Sequence, residues 1–230
     1  MVMVFERAEM NKTEWRIPKL PRSEWTDDAR EVFSFWGEPN SWEEGSQTNI
    51  MMVMANHPDL GKAYNVWGKH LLVTNTVPLR AREIIILRAA WLTKSEYEWH
   101  NHVGYALNLG MSLDEIAAIK DGVDGWNWND EDAAVIKGVD ELIQTNDLSD
   151  ETWAELSKFY DKRQMMDFVH TTGHYVMIAW AISAMRMPLE SHADQIGWDL
   201  KTASGKTPTA TLKPGESDDW AEKRGYDVEG

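Results

Sequence analysis

Apolar residues recur every three to four positions through most of the chain, in blocks divided by proline, glycine and small polar residues. No run shows the alternation of period two that a half-buried strand requires. Thr26 followed by Asp27 and Asp28 sets a cap and two carboxylates at the positive end of a helix that carries Val32, Phe33 and Trp36 at helical spacing. Residues 37–47 are rich in turn formers. Helices are expected over 48–56 and 58–73, the second opening with Pro58 in the first turn, where its missing N–H leaves no bond unmade. Pro78 precedes a helix over 79–93, LRAREIIILRAAWLT, apolar nearly all round after its first turn, which is the pattern of a buried helix. A helix over 95–109 is closed by Gly110, a good left-handed cap, and Ser112 with Glu115 forms a capping box for 113–120. Helices over 130–144, 150–160 and 163–187 complete an all-α chain with no internal repeat.

The last of these holds MMDFVHTTGHYVMIAWAISAM, long and apolar enough to raise the question of a membrane span. Asp167, His170, two threonines, Gly173 and His174 would be costly in hydrocarbon, so no membrane partner is expected. Residues 1–25, with Pro18 and Pro21 in a mixed polar context, read as an N-terminal arm, and 26–188 as the helical domain. Residues 189–230, with Gly205, Pro208, Pro214 and Gly215 among small and charged residues, read as a tail that is flexible or packed on a neighbouring subunit. Trp198, Trp220 and Tyr226 give the packed alternative its reason, since a solvated tail rarely carries aromatics.

A length of 230 residues fits one core with extensions. Thirteen tryptophans demand a sizeable apolar interior or an aromatic-lined pocket, with an acceptor for each buried ring N–H. The net charge of −15, with no cluster of Lys and Arg, argues against a nucleic-acid partner. The absence of cysteine removes disulfides, thiolate nucleophiles, CxxC redox chemistry and sulfur-ligated zinc together. Glu6 and Glu9 near the start, with no apolar h-region, give a cytoplasmic expectation.

Three groups of residues can carry chemistry. Glu83 lies early in the buried helix over 79–93, where a carboxylate must be paired or hold its proton more tightly; an ion pair with an arginine such as Arg80 is the structural alternative. Glu98 and His102 are four apart on one helical face, so the carboxylate can orient the imidazole for proton transfer. Ser95 with Glu98 is equally a capping box. His100 and His102, two apart, diverge too far to share a metal ion. His170 and His174 form a second same-face pair in the last helix, either metal ligands completed from elsewhere or core histidines bonded to backbone, Asp167 or the nearby threonines. GxSxG, P-loop and dinucleotide-binding motifs are missing.

HPDL at 57–60, the run VPLRAREIIILRAAWLTKSEYEWHNHVGYALNLGMSLDEIAAIKDG at 77–122, SDETWAELSKFYD and the helix with HYVMIAWAISAM resemble the carboxymuconolactone decarboxylase-like family, which includes the AhpD type of alkylhydroperoxidase. The resemblance covers roughly 45–187 and implies an AhpD-like bundle of helices, assembled as a homo-oligomer, a trimer or hexamer, with sites near subunit contacts. In the peroxidase branch a glutamate is followed by a CxxC pair and a histidine four residues beyond the second cysteine. Glu83 falls on that glutamate and His102 on that histidine, while Ser95 and Glu98 stand where the cysteines would be. The dithiol reaction is therefore closed to this chain, and the pattern is similar to decarboxylase-type members.

The resemblance implies an acid–base lyase needing no cofactor and no metal, most simply a decarboxylase of a carboxylated lactone or aromatic-derived acid in the breakdown of aromatic compounds. In it His102 is general acid or base, Glu98 its orienting partner and Glu83 a second proton-transfer or orienting group. Ser95 would hydrogen-bond the substrate and Arg80 or Arg88 would hold its carboxylate; His170 and His174 do not transfer from the family pattern and are substrate-binding candidates on their own pairing alone. The two extensions and the tryptophan content point away from the small lactone toward a larger aromatic or phenolic acid, because indole walls suit flat rings. The rival readings are a hydrolase or isomerase on the same scaffold, a metal-dependent lyase using His170 and His174, and a non-catalytic binding or assembly protein.

Overall fold

A computed structural model of the chain describes residues 14–191 and 193–211. Thr26 accepts from the Ala29 N–H at 3.2 Å and starts α1 (Asp27–Ser34). The turn-rich stretch that follows holds a short helix, α2 (Ser41–Glu44), and α3 spans Asn49–Met54. Pro58 opens α4 (Pro58–Lys69). The helix expected to run on to 73 instead widens into a π-helical segment, His70–Thr74, whose Leu71 and Leu72 carbonyls are taken by the side chains of Asn75 and Arg82. The π geometry thus turns backbone acceptors outward to side-chain donors.

Helix α5 (Leu79–Thr93) is the centre of the molecule, with every residue from Ala81 to Ala90 buried and α6 (Glu96–Asn108), α8 (Asp130–Thr145) and α10 (Lys162–Met185) packed round it. That environment matches its all-round apolar sequence. Its arginines are each engaged. Arg80 joins Asp132 and Glu115 at the starts of α8 and α7 (Leu113–Ala118), at 2.9 and 2.7 Å. Arg88 binds both oxygens of Asp140 at 2.6 and 2.9 Å and the carbonyls of Ile119 and Lys120, both at 2.8 Å, in the 3-10 turn Ile119–Gly125.

The Ser112–Glu115 capping box forms, and Gly110 closes the turn before it with φ of +83°. After α9 (Asp150–Leu156), α10 begins with a capping box between Asp161 and Gln164. Among the described residues there is no strand beyond one isolated bridge between Ile196 and Thr202, and no helix is long and apolar enough to cross a membrane. The described part of the arm ties down through Arg16 N–H to Met185 O and Leu20 N–H to Met52 O. Residues 193–211 rest on α6 of their own chain, where expectation had a flexible tail or one packed on a neighbour: Trp99 Nε1 donates to Gly197 O, Ile196 N–H to His100 Nδ1, and Trp198 packs against both Trp91 and Trp99. Pro214, Gly215, Trp220 and Tyr226 lie outside the described residues.

Helix α4, which supplies one wall of the site below, docks on α1 through Gly61, where an added Cβ would sit 2.7 and 2.8 Å from the two methyls of Val32 and 3.1 Å from the Met54 carbonyl oxygen. Alanine is the better helix former, yet overlap with two methyls and a backbone atom outweighs a propensity gain of about 1 kcal/mol. Gly61→Ala is expected to lose about 1–3 kcal/mol of stability in urea titrations.

Candidate active site

A cavity of about 180 Å³ opens between α3, α4, α6 and α10, with the π-helical Leu72 on one side and Trp36, Glu38 and Thr48 from the early loops at another. Helix α6 offers Glu98, Asn101, His102 and Tyr105 to it, at spacings of three, four and seven that hold them to one face. Opposite stand His174, Tyr175 and Ile178 of α10 and Tyr64 of α4. The walls are mostly tyrosine rather than indole. Trp36 is the one tryptophan among the described lining residues, since the other described tryptophans are spent on the core, the tail contact and the surface.

Beneath the cavity Glu83 is fully buried and its two oxygens are divided between two partners. Oε2 meets His102 Nδ1 at 2.7 Å, and Oε1 accepts from Arg82 Nε and Nη2 at 3.0 and 2.9 Å. Arg82 is itself buried, and its Nη1 reaches the Leu72 carbonyl. Burial alone would raise the Glu83 pKa, but His102 and Arg82, by charge and by hydrogen bond, more than offset it and hold the carboxyl below its ordinary value. The carboxylate fixes the imidazole with Nδ1 toward it and leaves Nε2 as the other working nitrogen.

On that side His102 Nε2 lies 3.7 Å from Glu98 Oε2. This is too long for a hydrogen bond, yet a substrate atom can lie within about 3 Å of both. Burial pushes the Glu98 carboxyl up to about 7; His102 opposes the shift, and the charges of Glu190 and Glu83 add to it. Two carboxyl groups on either side of one imidazole are thus driven apart, one kept ionised and the other kept protonated into the neutral range, which is how acid and base roles are separated in one site. Glu190 reaches the site from beyond α10, accepting from Tyr97 OH at 2.6 Å and Asn49 N–H at 2.8 Å. His174 stacks on Tyr64 with centroids 5.6 Å apart, and burial, with His102 nearby, lowers its pKa to about 4, so its ring is neutral at pH 7.

The structure brings Glu83, Glu98, His102 and His174 together and leaves the other expected residues apart. The arginine paired with Glu83 is Arg82, not Arg80, and neither Arg80 nor Arg88 lines the cavity, because both are bound into the ion pairs of α7 and α8. The orienting partner of His102 is Glu83 rather than Glu98. The Ser95–Glu98 capping box does not form: Glu98 turns into the cavity and the buried Ser95 hydroxyl, away from it, has no hydrogen-bond partner. His170 is exposed, its Nδ1 on the Met166 carbonyl and its ring edge-on to Trp67, so it shares no site with His174; Asp167 serves His70 instead, at 2.8 Å. Among the described residues no group of three or more His, Asp or Glu is placed to hold a metal ion. Arg82, Tyr64, Tyr175 and Glu190 were missed. Only Arg82 had a signal, its place beside Glu83, and neighbours on a helix ordinarily face apart.

The "Carboxymuconolactone decarboxylase family" model matches residues 58–125, from the start of α4 through the 3-10 turn, and includes Glu83, Glu98 and His102. An uncharacterized peroxidase-related protein from Silicibacter sp. superposes with a TM-score of 0.65 at 14% identity, over 80% of this chain and 96% of its own. The alkylhydroperoxidase AhpD core of a peroxidase-related protein from Ralstonia eutropha gives 0.63 at 12%, over 76% and 93%. The debrominase Bmp8, in a complex with 2,3,4-tribromopyrrole, gives 0.60 at 16%, over 78% and 94%. No curated protein matches the sequence. The family's model thus matches the segment that carries the site, and the fold of the chain is AhpD-like. It has no cysteine with which to run a dithiol peroxidase reaction.

The Glu98 carboxyl gives the site a stability signature. Unfolded, it loses its proton near the ordinary 4.5; folded, it keeps it to about 7, so its contribution is fully present at low pH and declines as pH rises between those values. Over two pH units this is about 3 kcal/mol. The stability of the native protein minus that of Glu98→Gln, measured in urea at pH 5 and pH 8, is expected to fall by about that amount; a difference that does not change with pH contradicts the assignment.

Proposed function

We propose that this protein is an acid–base enzyme of the lyase or isomerase kind, in which His102, oriented by Glu83, takes a proton from the substrate and Glu98 gives one. The observation that carries the reading is the placing of His102 Nε2 and Glu98 Oε2 3.7 Å apart on one cavity wall, with Glu83 and Arg82 locking the ring from behind. The match to the family's model over the segment that carries all three residues supports a catalytic role. An imidazole fixed by a carboxylate at Nδ1 presents Nε2 as the base, and a carboxyl titrating near 7 is an acid suited to neutral pH. The reaction so written draws on no cofactor.

Decarboxylation of a carboxylated lactone or aromatic-derived acid is the narrower form of this reading. Loss of CO₂ leaves an electron pair on carbon as an enolate, the double bond shifts, and Glu98 returns a proton to carbon while the carboxylate it leaves behind is reprotonated from solvent. The cavity supplies the acid for that step but, among its described lining residues, no guanidinium to hold the departing carboxylate. An isomerase form, in which His102 removes a proton beside a carbonyl and Glu98 delivers one further along, uses the same groups and needs no cation.

The test is a screen of carboxylated lactones, phenolic acids and cyclic enones in D₂O, read by CO₂ release and by deuterium at carbon. Deuterium incorporation without CO₂ selects the isomerase form, both together select the decarboxylase form, and neither counts against the proposal. On a substrate so found, His102→Ala and Glu98→Gln are each expected to lower kcat/KM by about 10²–10⁴. The native rate should decline above about pH 7, as Glu98 gives up its proton, and that decline should be absent from the residual rate of Glu98→Gln.

A further inference from the structure

We infer that the cavity selects an uncharged single-ring compound carrying a hydroxyl or ketone oxygen, and discriminates against free carboxylates. The inference rests on reading this cavity as the active site, and it favours the isomerase form of the reaction over the decarboxylase form.

Size is the first constraint. A cavity of about 180 Å³ is close to the roughly 150 Å³ that admits one benzene ring, so one ring with one or two small substituents fills it. Shape follows from the walls, where Tyr64, Tyr97, Tyr105 and Tyr175 present flat faces and edges to a flat guest. Charge is the decisive constraint. Among the described residues neither Lys nor Arg lines the cavity, and the three arginines of α5 are each held by a carboxylate elsewhere, Arg80 by Asp132 and Glu115, Arg82 by Glu83, Arg88 by Asp140.

Glu98 lines one wall and Glu38 another, while Glu190 lies behind Tyr97. The Glu38 carboxylate accepts from the Ser46 hydroxyl and the Gln47 N–H. A bound carboxylate would face these groups with no Lys or Arg among the described lining residues to pair with it. A cation gains little either, because Glu83 is already matched by Arg82 and His102, and Glu98 holds its proton into the neutral range. What remains for recognition is hydrogen bonding: one neutral oxygen can lie within reach of both His102 Nε2 and Glu98 Oε2.

The test uses binding alone, so that it stands apart from turnover: failure of the acid–base reading appears in the deuterium assay, failure of this one in affinities. Full-length protein is titrated calorimetrically at pH 6, where Glu98 keeps its proton, with three probes of one shape, 4-hydroxybenzamide, 4-hydroxybenzoate and 4-hydroxybenzamidine. The amide is expected to bind at least about tenfold more tightly than either charged probe. Gly68→Leu localises the event, because Gly68 lines the cavity and a Cβ there meets nothing nearer than 3.5 Å from Trp36, so the larger side chain fills space instead of breaking the fold. Amide binding lost in a folded Gly68→Leu supports the inference. A carboxylate or amidinium that binds as tightly as the amide, binding that survives Gly68→Leu, or no binding by any probe overturns it.

Discussion

The arrangement of this protein turns on one buried contact, the Glu83 carboxylate held between Arg82 and His102 inside a helix that is otherwise closed to water. Three ionisable groups in that position are stable only as a set. Removing one leaves a charge or a polar group without its partner, a loss of about 3–5 kcal/mol in comparable buried pairs. The set also reaches outward. Arg82 caps a carbonyl freed by the π-helical widening after α4, so the wall bearing Tyr64 and Leu72 is joined to the same network that orients the imidazole.

From this follows the division of labour between two glutamates with almost equal burial. Glu83 has two cationic or hydrogen-bonding partners in direct contact and stays ionised; Glu98 has only the more distant His102 and feels two other carboxylates, so burial prevails and its proton is retained. The difference comes from partners rather than depth. In the dithiol pattern that the chain resembles, position 98 would carry a sulfur. Here a carboxyl occupies that place and lies 3.7 Å from the imidazole.

The helices were legible because their signals are local. Caps at Thr26 and Ser112, Pro58 and the unbroken apolar run of α5 each act within one or two turns, and the structure has them where the pattern put them. The site was legible only in part. Glu83, Glu98 and His102 could be named from spacing and resemblance, but which carboxylate orients the ring depends on how α5 and α6 cross, and periodicity carries no such information. That Arg80 and Arg88 are held away from the cavity could not be read locally, because their partners, Asp132, Glu115 and Asp140, lie from 35 to 52 residues away. The long helix of His170 and His174 was read correctly as a helix, while the pair itself divided between surface and cavity, because a shared helical face still spans a wide arc: Tyr64 of α4 stacks on His174, and Trp67 of the same helix meets His170 only edge-on at the surface.

Whether one imidazole lies between an ionised and a protonated carboxyl is read from a ¹³C NMR titration of the glutamate side-chain carboxyls, with Glu83→Gln and Glu98→Gln variants used for assignment. A carboxyl assigned to Glu98 is expected to titrate with a midpoint near 7, and the Glu83 signal to stay in its ionised position from neutral pH down to below the ordinary carboxylate range. A Glu98 midpoint near 4.5, or a Glu83 that takes up its proton first, would contradict it.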